Sequence, residues 1–147
     1  ILPTADFLIT ALPLGHALGR IGCFLAGCCH GKPTTLPWGV AFTDPHTLVP
    51  PQLQGVHLHP TQLYETVCNL LLFFYLHKAY QKKHTAGSIL IRYIIGYGII
   101  RFVIEFFRGD YRGAFILGLS PSQALAVCAV VLAAAAYALF IKETKHG

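Results

Sequence analysis

Charged residues are scarce in this sequence. Only 12% of its 147 residues are Asp, Glu, Lys or Arg, whereas 54% are hydrophobic and the mean hydropathy is +0.57. This composition excludes an ordinary soluble domain of this length and indicates that a lipid bilayer is the natural solvent. A helix that crosses the hydrocarbon core uses about 20 residues. We therefore predict one membrane domain, residues 1–147, with three or four crossings.

Methionine is absent, and the chain begins with Ile1. We expect this end to be a processing or truncation boundary, with further sequence upstream. The apolar opening contains Pro3, Asp6 and Pro13 and lacks a basic segment and a cleavage site, so no signal peptide is predicted.

Acidic residues are also few, which leaves a net charge of +5 and a pI near 9.1. In a soluble protein this balance would suggest a nucleic acid partner. Here the basic residues flank the apolar segments, so no nucleic acid is expected. Cytoplasmic loops carry the excess of Lys and Arg, which predicts a cytoplasmic C-terminus. The residues counted are Lys78, Lys82, Lys83, Lys142 and Lys145 on one side and Lys32, Arg108 and Arg112 on the other.

Four apolar segments predict an all-α integral membrane protein, a bundle of about four transmembrane or partly broken helices. The last helix is predicted to begin near Ser120, where Ser-Pro supplies an N-cap, and to end at Lys142. The proline-rich stretch 30–59 predicts an extracytoplasmic loop or re-entrant segment. The predicted helices cover residues 6–29, 61–80, 88–107 and 120–141.

A ladder of polar residues runs through the third predicted helix. Tyr93, Tyr97, Arg101 and Glu105 recur every four residues, and Arg108 follows. This spacing places them near one helix face. Because a charge within hydrocarbon is costly, the ladder predicts a polar cavity in which a guanidinium binds a lipid phosphate. The alternative is an Arg101–Glu105 pair that only joins helices.

Two further segments carry candidate site residues. The glycine-rich stretch 19–31 holds Arg20 in an apolar context, so that Arg20 either converges with Arg101 on an anion or extends to the membrane interface. His59 stands at the start of the second predicted helix, followed by Gln62 and Glu65. His59 could act as a base, hold a headgroup, or only cap that helix.

Five short motifs follow one another along the chain. They are G-R-I-G at 19–22, P-W-G-V at 37–40, H-P-T-Q-L-Y-E at 59–65, Y-G-I-I-R-F-V-I-E-F-F-R at 97–108 and L-G-L-S at 117–120. In order and spacing, these motifs resemble the prolipoprotein diacylglyceryl transferase family. The resemblance implies a seven-helix inner-membrane enzyme, of which this chain would be the last part and a remnant. The family's reaction moves the diacylglyceryl group of phosphatidylglycerol to the lipobox cysteine thiol of a preprolipoprotein, and no cofactor or metal is expected.

The resemblance also assigns roles to residues. Family positions that act on the substrate correspond here to the arginines of the first and fourth motifs. The chain departs from the family at Cys23 and Cys28, where the family carries asparagine and an acidic residue, and it has no counterpart of the family's N-terminal histidine-glycine motif. The predicted catalytic residues are Arg20, Arg101, His59 and Tyr97, and the predicted substrate-binding residues are Glu105, Gln62, Glu65, Cys23 and Arg108.

Two other functions stay open at this point. One is a non-catalytic membrane protein that binds lipid. The other is a Cys/His metal site, since thiolate and imidazole are zinc ligands, although the spacing differs from the usual C-x-x-C. Thiol redox chemistry or simple packing of small residues would use the same cysteines. The residues concerned are Cys23, Cys28, Cys29, His30, His57 and His59.

Overall fold

Four α-helices make up most of the fold. The computed structural model describes residues 2–110 and 118–146, with side chains as far as Leu139. In chain order the elements are α1 (Leu2–Ala26), β1 (Val40–Ala41), a 3-10 turn (Pro51–Leu53), β2 (His57–Leu58), α2 (Thr61–Gln81), α3 (Ser88–Glu105) and α4 (Pro121–His146). Helix α1 packs on α2, α2 and α1 pack on α3, and α3 packs on α4. The mostly helical prediction is confirmed.

The helix bounds differ from the sequence prediction most at the two ends of α1, which spans Leu2–Ala26 where 6–29 was predicted, and at the end of α4. Helix α1 ends at Ala26 because Gly27 adopts φ +76, a left-handed conformation that glycine adopts without penalty. The prediction that Lys142 ends the last helix is wrong, since α4 continues to His146. A lysine is compatible with a helix interior, so its charge alone does not stop the helix. Arg112 and Leu117, used in the charge count and the fifth motif, lie outside the described residues.

Two helices are long and apolar enough to cross a membrane. Within the described ranges these are α1 and the Pro121–Leu139 part of α4, and only 17% of the most apolar window of each is buried. The core helix of a soluble protein would be mostly covered. Here large apolar side chains face outward and are more than half exposed, which suits contact with lipid: Phe7, Leu8, Leu18, Leu25, Leu125, Val131, Leu132 and Leu139.

The core of the bundle lies between α2 and α3. Leu72, Leu76, Ile89 and Tyr93 form its buried cluster. Glycines allow close helix approach here, as small residues do in membrane helix pairs. A Cβ on Gly98 of α3 would lie 2.5 Å from a methyl group of Val130 in α4.

The segment between α1 and α2 is fastened to the end of α3. Strands β1 and β2 pair antiparallel, with Val40 opposite Leu58. Gly31 donates its N–H to the carbonyl oxygen of His59 at 3.0 Å, and Lys32 donates to that of Phe107 at 2.8 Å. The predicted loop 30–59 is therefore an ordered element that brings the ends of α1, α2 and α3 together.

Candidate active site

The centre of the site is the carboxylate of Glu65, which is only 2% exposed. Arg20 of α1 contacts its Oε2 atom through Nε, and Arg101 of α3 contacts its Oε1 atom through Nη1. Three helices therefore contribute one charge each to a single buried cluster. The structure brings the two sequence-predicted arginines together through a carboxylate between them.

A second carboxylate borders this cluster. Glu105 lies one turn after Arg101, with its Oε2 atom 3.8 Å from Nη2 of Arg101. That oxygen is buried and has no hydrogen-bond partner among the described residues. The ladder spacing predicted the Arg101–Glu105 pair, but Arg101 makes its closer contact with Glu65.

Aromatic rings cover one side of the arginines. Tyr93 and Tyr97 stack with ring centroids 5.6 Å apart, and the ring of His16 lies 4.9 Å from that of Tyr97. The Nδ1 atom of His16 is buried without a hydrogen-bond partner in the described part of the chain. Sequence analysis missed His16. Its position one helical turn before Arg20 was the signal that could have identified it.

A cavity of about 350 Å³ opens beside Arg101 between α3 and α4. Its walls are mainly apolar, and Arg101 is the charged residue among them. The cavity thus combines a mainly apolar lining with one cationic side chain, which matches an acyl chain attached to an anionic headgroup. The lining residues are Tyr93, Ile94, Tyr97, Gly98, Arg101, Ser122, Leu125, Ala126 and Ala129.

His59 belongs to a separate aromatic cluster. Its Nδ1 atom lies 3.2 Å from the hydroxyl of Tyr64, and that hydroxyl accepts a hydrogen bond from Trp38 Nε1 at 2.9 Å. The ring of Phe107 lies 5.4 Å from that of His59. Among the described residues His59 has no hydrogen bond or ion pair with Arg20 or Arg101. Tyr64 lies next to Glu65 on α2, so the two clusters are neighbours.

Gln62 holds the loop after α1. Its side chain is 1% exposed and donates through Nε2 to the carbonyl oxygen of Cys28 at 2.7 Å, while Thr61 donates its hydroxyl to that of Cys29 at 2.9 Å. Cys23 lies with these two cysteines, since the three Sγ atoms lie within 4.8 Å of one another.

Arg108 is buried and paired with a different carboxylate. It forms two hydrogen bonds with Asp110, at 2.9 and 2.8 Å, and despite burial these bonds raise the pKa of its guanidinium. Burial raises the pKa of the Cys29 thiol, but the neighbouring Arg108 outweighs burial and lowers that pKa below its usual value. Burial and the adjacent thiols raise the pKa of Cys28 to about 11.

Comparison with known proteins identifies the family to which this chain belongs. The family model for prolipoprotein diacylglyceryl transferase matches residues 1–139. The chain belongs to the prolipoprotein diacylglyceryl transferase family. It is 41% identical over 132 residues to the phosphatidylglycerol–prolipoprotein diacylglyceryl transferase of Clostridium tetani, covering 90% of this chain and 51% of the relative.

The matches to other transferases of the family also cover only part of each relative's length. Phosphatidylglycerol–prolipoprotein diacylglyceryl transferase 2 of Clostridium perfringens is 39% identical, and the match covers 86% of this chain and 48% of the relative. The transferase of Cereibacter sphaeroides is 42% identical, and the match covers 74% of this chain and 39% of the relative. The chain spans about half the length of the curated relatives it matches.

Proposed function

We propose that this chain forms the part of a phosphatidylglycerol–prolipoprotein diacylglyceryl transferase that binds the lipid headgroup and stabilises the leaving group. The observation that carries the proposal is the convergence of Arg20 and Arg101, from two helices, on the buried carboxylate of Glu65. The names of the relatives supply the lipid and the protein substrate. The acceptor would be the lipobox cysteine of a preprolipoprotein.

Glu65 holds the two guanidinium groups in position before substrate arrives. A guanidinium carries five N–H donors, so one shared carboxylate does not saturate either arginine. The remaining donors can fork onto phosphate oxygens, which Arg does better than Lys because its donors are planar and fixed. Preorganised donors of this kind stabilise charge that develops on a leaving group.

The acyl chains have a matching place in the fold. The apolar cavity between α3 and α4 is lined by Arg101 together with Leu125, Ala126 and Ala129. A phosphate bound at Arg101 would direct a lipid tail along this wall. The outward apolar face of α4 continues the path into the surrounding membrane.

The reaction itself needs a thiolate. The lipobox thiol loses its proton to a base, its sulfur forms a bond with the glyceryl carbon, and the carbon–oxygen bond to phosphate breaks, so that glycerol phosphate leaves with the electron pair. Of the two histidines near the cluster, His16 has a buried nitrogen with no hydrogen-bond partner among the described residues, whereas His59 contacts Tyr64. We therefore assign proton acceptance to His16 and headgroup or peptide contacts to His59, with Tyr97 lining the site beside them.

The membrane arrangement is part of the same proposal. All four helices cross the inner membrane, the loop 30–59 lies outside, and the C-terminus is cytoplasmic. Lys78, Lys82 and Lys83 near the end of α2 support this orientation through the positive-inside rule.

Complementation of a bacterium depleted of its transferase tests the function. The gene that encodes this chain should restore lipoprotein modification, Arg101→Ala should abolish rescue, and Arg101→Lys should restore little of it. Arg92→Ala is the matched control, because Arg92 lies on the same helix away from the cluster and should leave rescue intact. Failure of the parent gene to rescue would refute the transferase proposal. Binding of phosphatidylglycerol without transfer would instead support a non-catalytic lipid-binding protein.

A further inference from the structure

Three of the five cysteines form one cluster at the end of α1. Cys23 lies in the last turn of the helix, and Cys28 and Cys29 follow Gly27. Their Sγ atoms all lie within 4.8 Å of one another. The transferase chemistry proposed above does not use these thiols.

We propose that Cys23, Cys28 and Cys29 form a binding site for one soft metal ion such as Cu(I) or Zn(II). A metal–sulfur bond of about 2.3 Å brings two sulfurs to about 3.8 Å apart, so small side-chain rotations would close the site on an ion. Thiolate ligands select soft ions over Mg²⁺ or Ca²⁺, which prefer oxygen. Each coordinated thiol releases its proton to the solvent.

The backbone that carries the thiols is held in place from α2. The carbonyl oxygen of Cys28 accepts a hydrogen bond from Gln62, and that of Cys29 accepts one from Thr61. Cys29 has φ +61 and is the one non-glycine residue with positive φ within the described ranges. Glycine would adopt this conformation without strain. A cysteine held there by its surroundings indicates a task for its side chain.

The histidines considered from the sequence are not members of this cluster. His30 directs Nδ1 to the carbonyl oxygen of Gly31 at 3.0 Å, and His59 contacts Tyr64. Within the described residues the group of candidate ligands at this place consists of the three cysteines. A donor set of three sulfurs favours a three-coordinate Cu(I) ion, or Zn²⁺ with an open fourth position.

Metal titration of the reduced protein in detergent tests the site. Under anaerobic conditions Cu(I) is delivered from a coloured chelator, and Zn(II) is titrated in parallel. We expect one ion per chain, with Cys23, Cys28 and Cys29 protected from alkylation when it is bound. Failure of both ions to bind stoichiometrically would overturn the proposal. Formation of a disulfide on mild oxidation, without metal binding, would overturn it in favour of a redox role.

Single substitutions locate the site. Cys23→Ser, Cys28→Ser and Cys29→Ser should each lower metal affinity about tenfold or more, whereas Cys68→Ser and Cys128→Ser should leave it unchanged. If Cys29→Ser does not fold, the other two variants still decide the matter. An equal loss of metal affinity in Cys68→Ser or Cys128→Ser would contradict the assignment. Retention of the ion after all three cluster cysteines are replaced would contradict it as well. Arg101→Ala should retain the metal and lose lipid transfer, so the two proposals fail separately.

Discussion

At the scale of single residues, Glu65 is the charge on which the site depends. It is almost fully buried and neutralises arginines from two other helices. Removing one partner from a buried ion pair costs more than the pair contributes, because the remaining charges are left without compensation. Glu105 has a weaker position, since its ion pair with Arg101 is longer, at 3.8 Å.

We expect Glu65→Gln to destabilise the protein by about 3 kcal/mol and to abolish lipid transfer, because two partly buried guanidinium groups lose their shared, buried counter-charge. Glu105→Gln should lower the free energy of unfolding clearly less, since Arg101 keeps its ion pair with Glu65. Unfolding by denaturant in detergent measures both. A larger loss in the Glu105 variant would contradict the central role of Glu65.

His16 provides a separate prediction for the reaction. We expect His16→Gln to lower the rate of transfer about 100-fold or more, as loss of a general base does, while phosphatidylglycerol binding is retained. The measurement is the pH profile of transfer in the parent and the variant. His77→Gln is the control, because His77 lies on α2 and bonds to Gln81 away from the cluster. An unchanged pH profile in the His16 variant would mean that another group accepts the proton of the lipobox thiol.

The two adjacent cysteines should differ in reactivity. Alkylation requires the thiolate, and the pKa is lowered at Cys29 and raised to about 11 at Cys28. At pH 7 and without metal, a mass-resolved alkylation time course should therefore modify Cys29 before Cys28. Replacing Arg108 by Gln should raise the pKa of Cys29 and slow its modification. Faster labelling of Cys28 than of Cys29 would contradict this order.

At the scale of helices, α1 provides the cap of α3. Asp6 is fully buried, and its carboxylate accepts hydrogen bonds from the N–H groups of Gly87 at 2.7 Å and Leu90 at 3.0 Å. Gly87 is the N-cap residue of α3 and Leu90 lies in its first turn, where backbone N–H groups have no partner within the helix. A carboxylate there also interacts favourably with the positive end of the helix dipole. One side chain thus fixes the start of α3 against α1.

Asp6→Ala should lower the free energy of unfolding by about 1–3 kcal/mol, because it leaves buried N–H groups unpaired. Thermal unfolding followed by circular dichroism measures the effect. Asp44→Ala is the control, since Asp44 accepts one hydrogen bond from His46 in an exposed loop and should change stability little. Equal stability of the Asp6 variant and the parent would refute the capping role.

At the scale of the whole molecule, the described helices enclose both an apolar core and a charged cluster, and many large apolar side chains face outward. Arg20, Glu65 and Arg101 form this charged cluster, while most of the apolar surface of α1 and α4 is uncovered. An apolar outer surface around enclosed charges differs from an ordinary soluble domain and suits a lipid environment, which cannot hydrate charge. The loop between α1 and α2 joins the ends of three helices at one face of the bundle.

Side-specific labelling tests the proposed orientation. Single cysteines placed at Lys83 and at Thr43, in a variant whose own cysteines are replaced by serine, should react with a membrane-impermeant reagent from opposite sides. We expect Thr43→Cys to react in intact spheroplasts and Lys83→Cys only after lysis. The reversed pattern would invert the topology without affecting the site geometry.

The sequence by itself determined the apolar segments, the one-sided ladder in α3 and the family resemblance. These follow from composition and from periodicity within one helix, which place Tyr97, Arg101 and Glu105 on a common face. The tertiary structure alone decided that Glu65 lies between Arg20 and Arg101, that His59 belongs to another cluster, and that three thiols meet. Periodicity fixes neighbours along a helix. Contacts between helices depend instead on close approach at Gly98 and on the loop that ties α1 to α2 and α3.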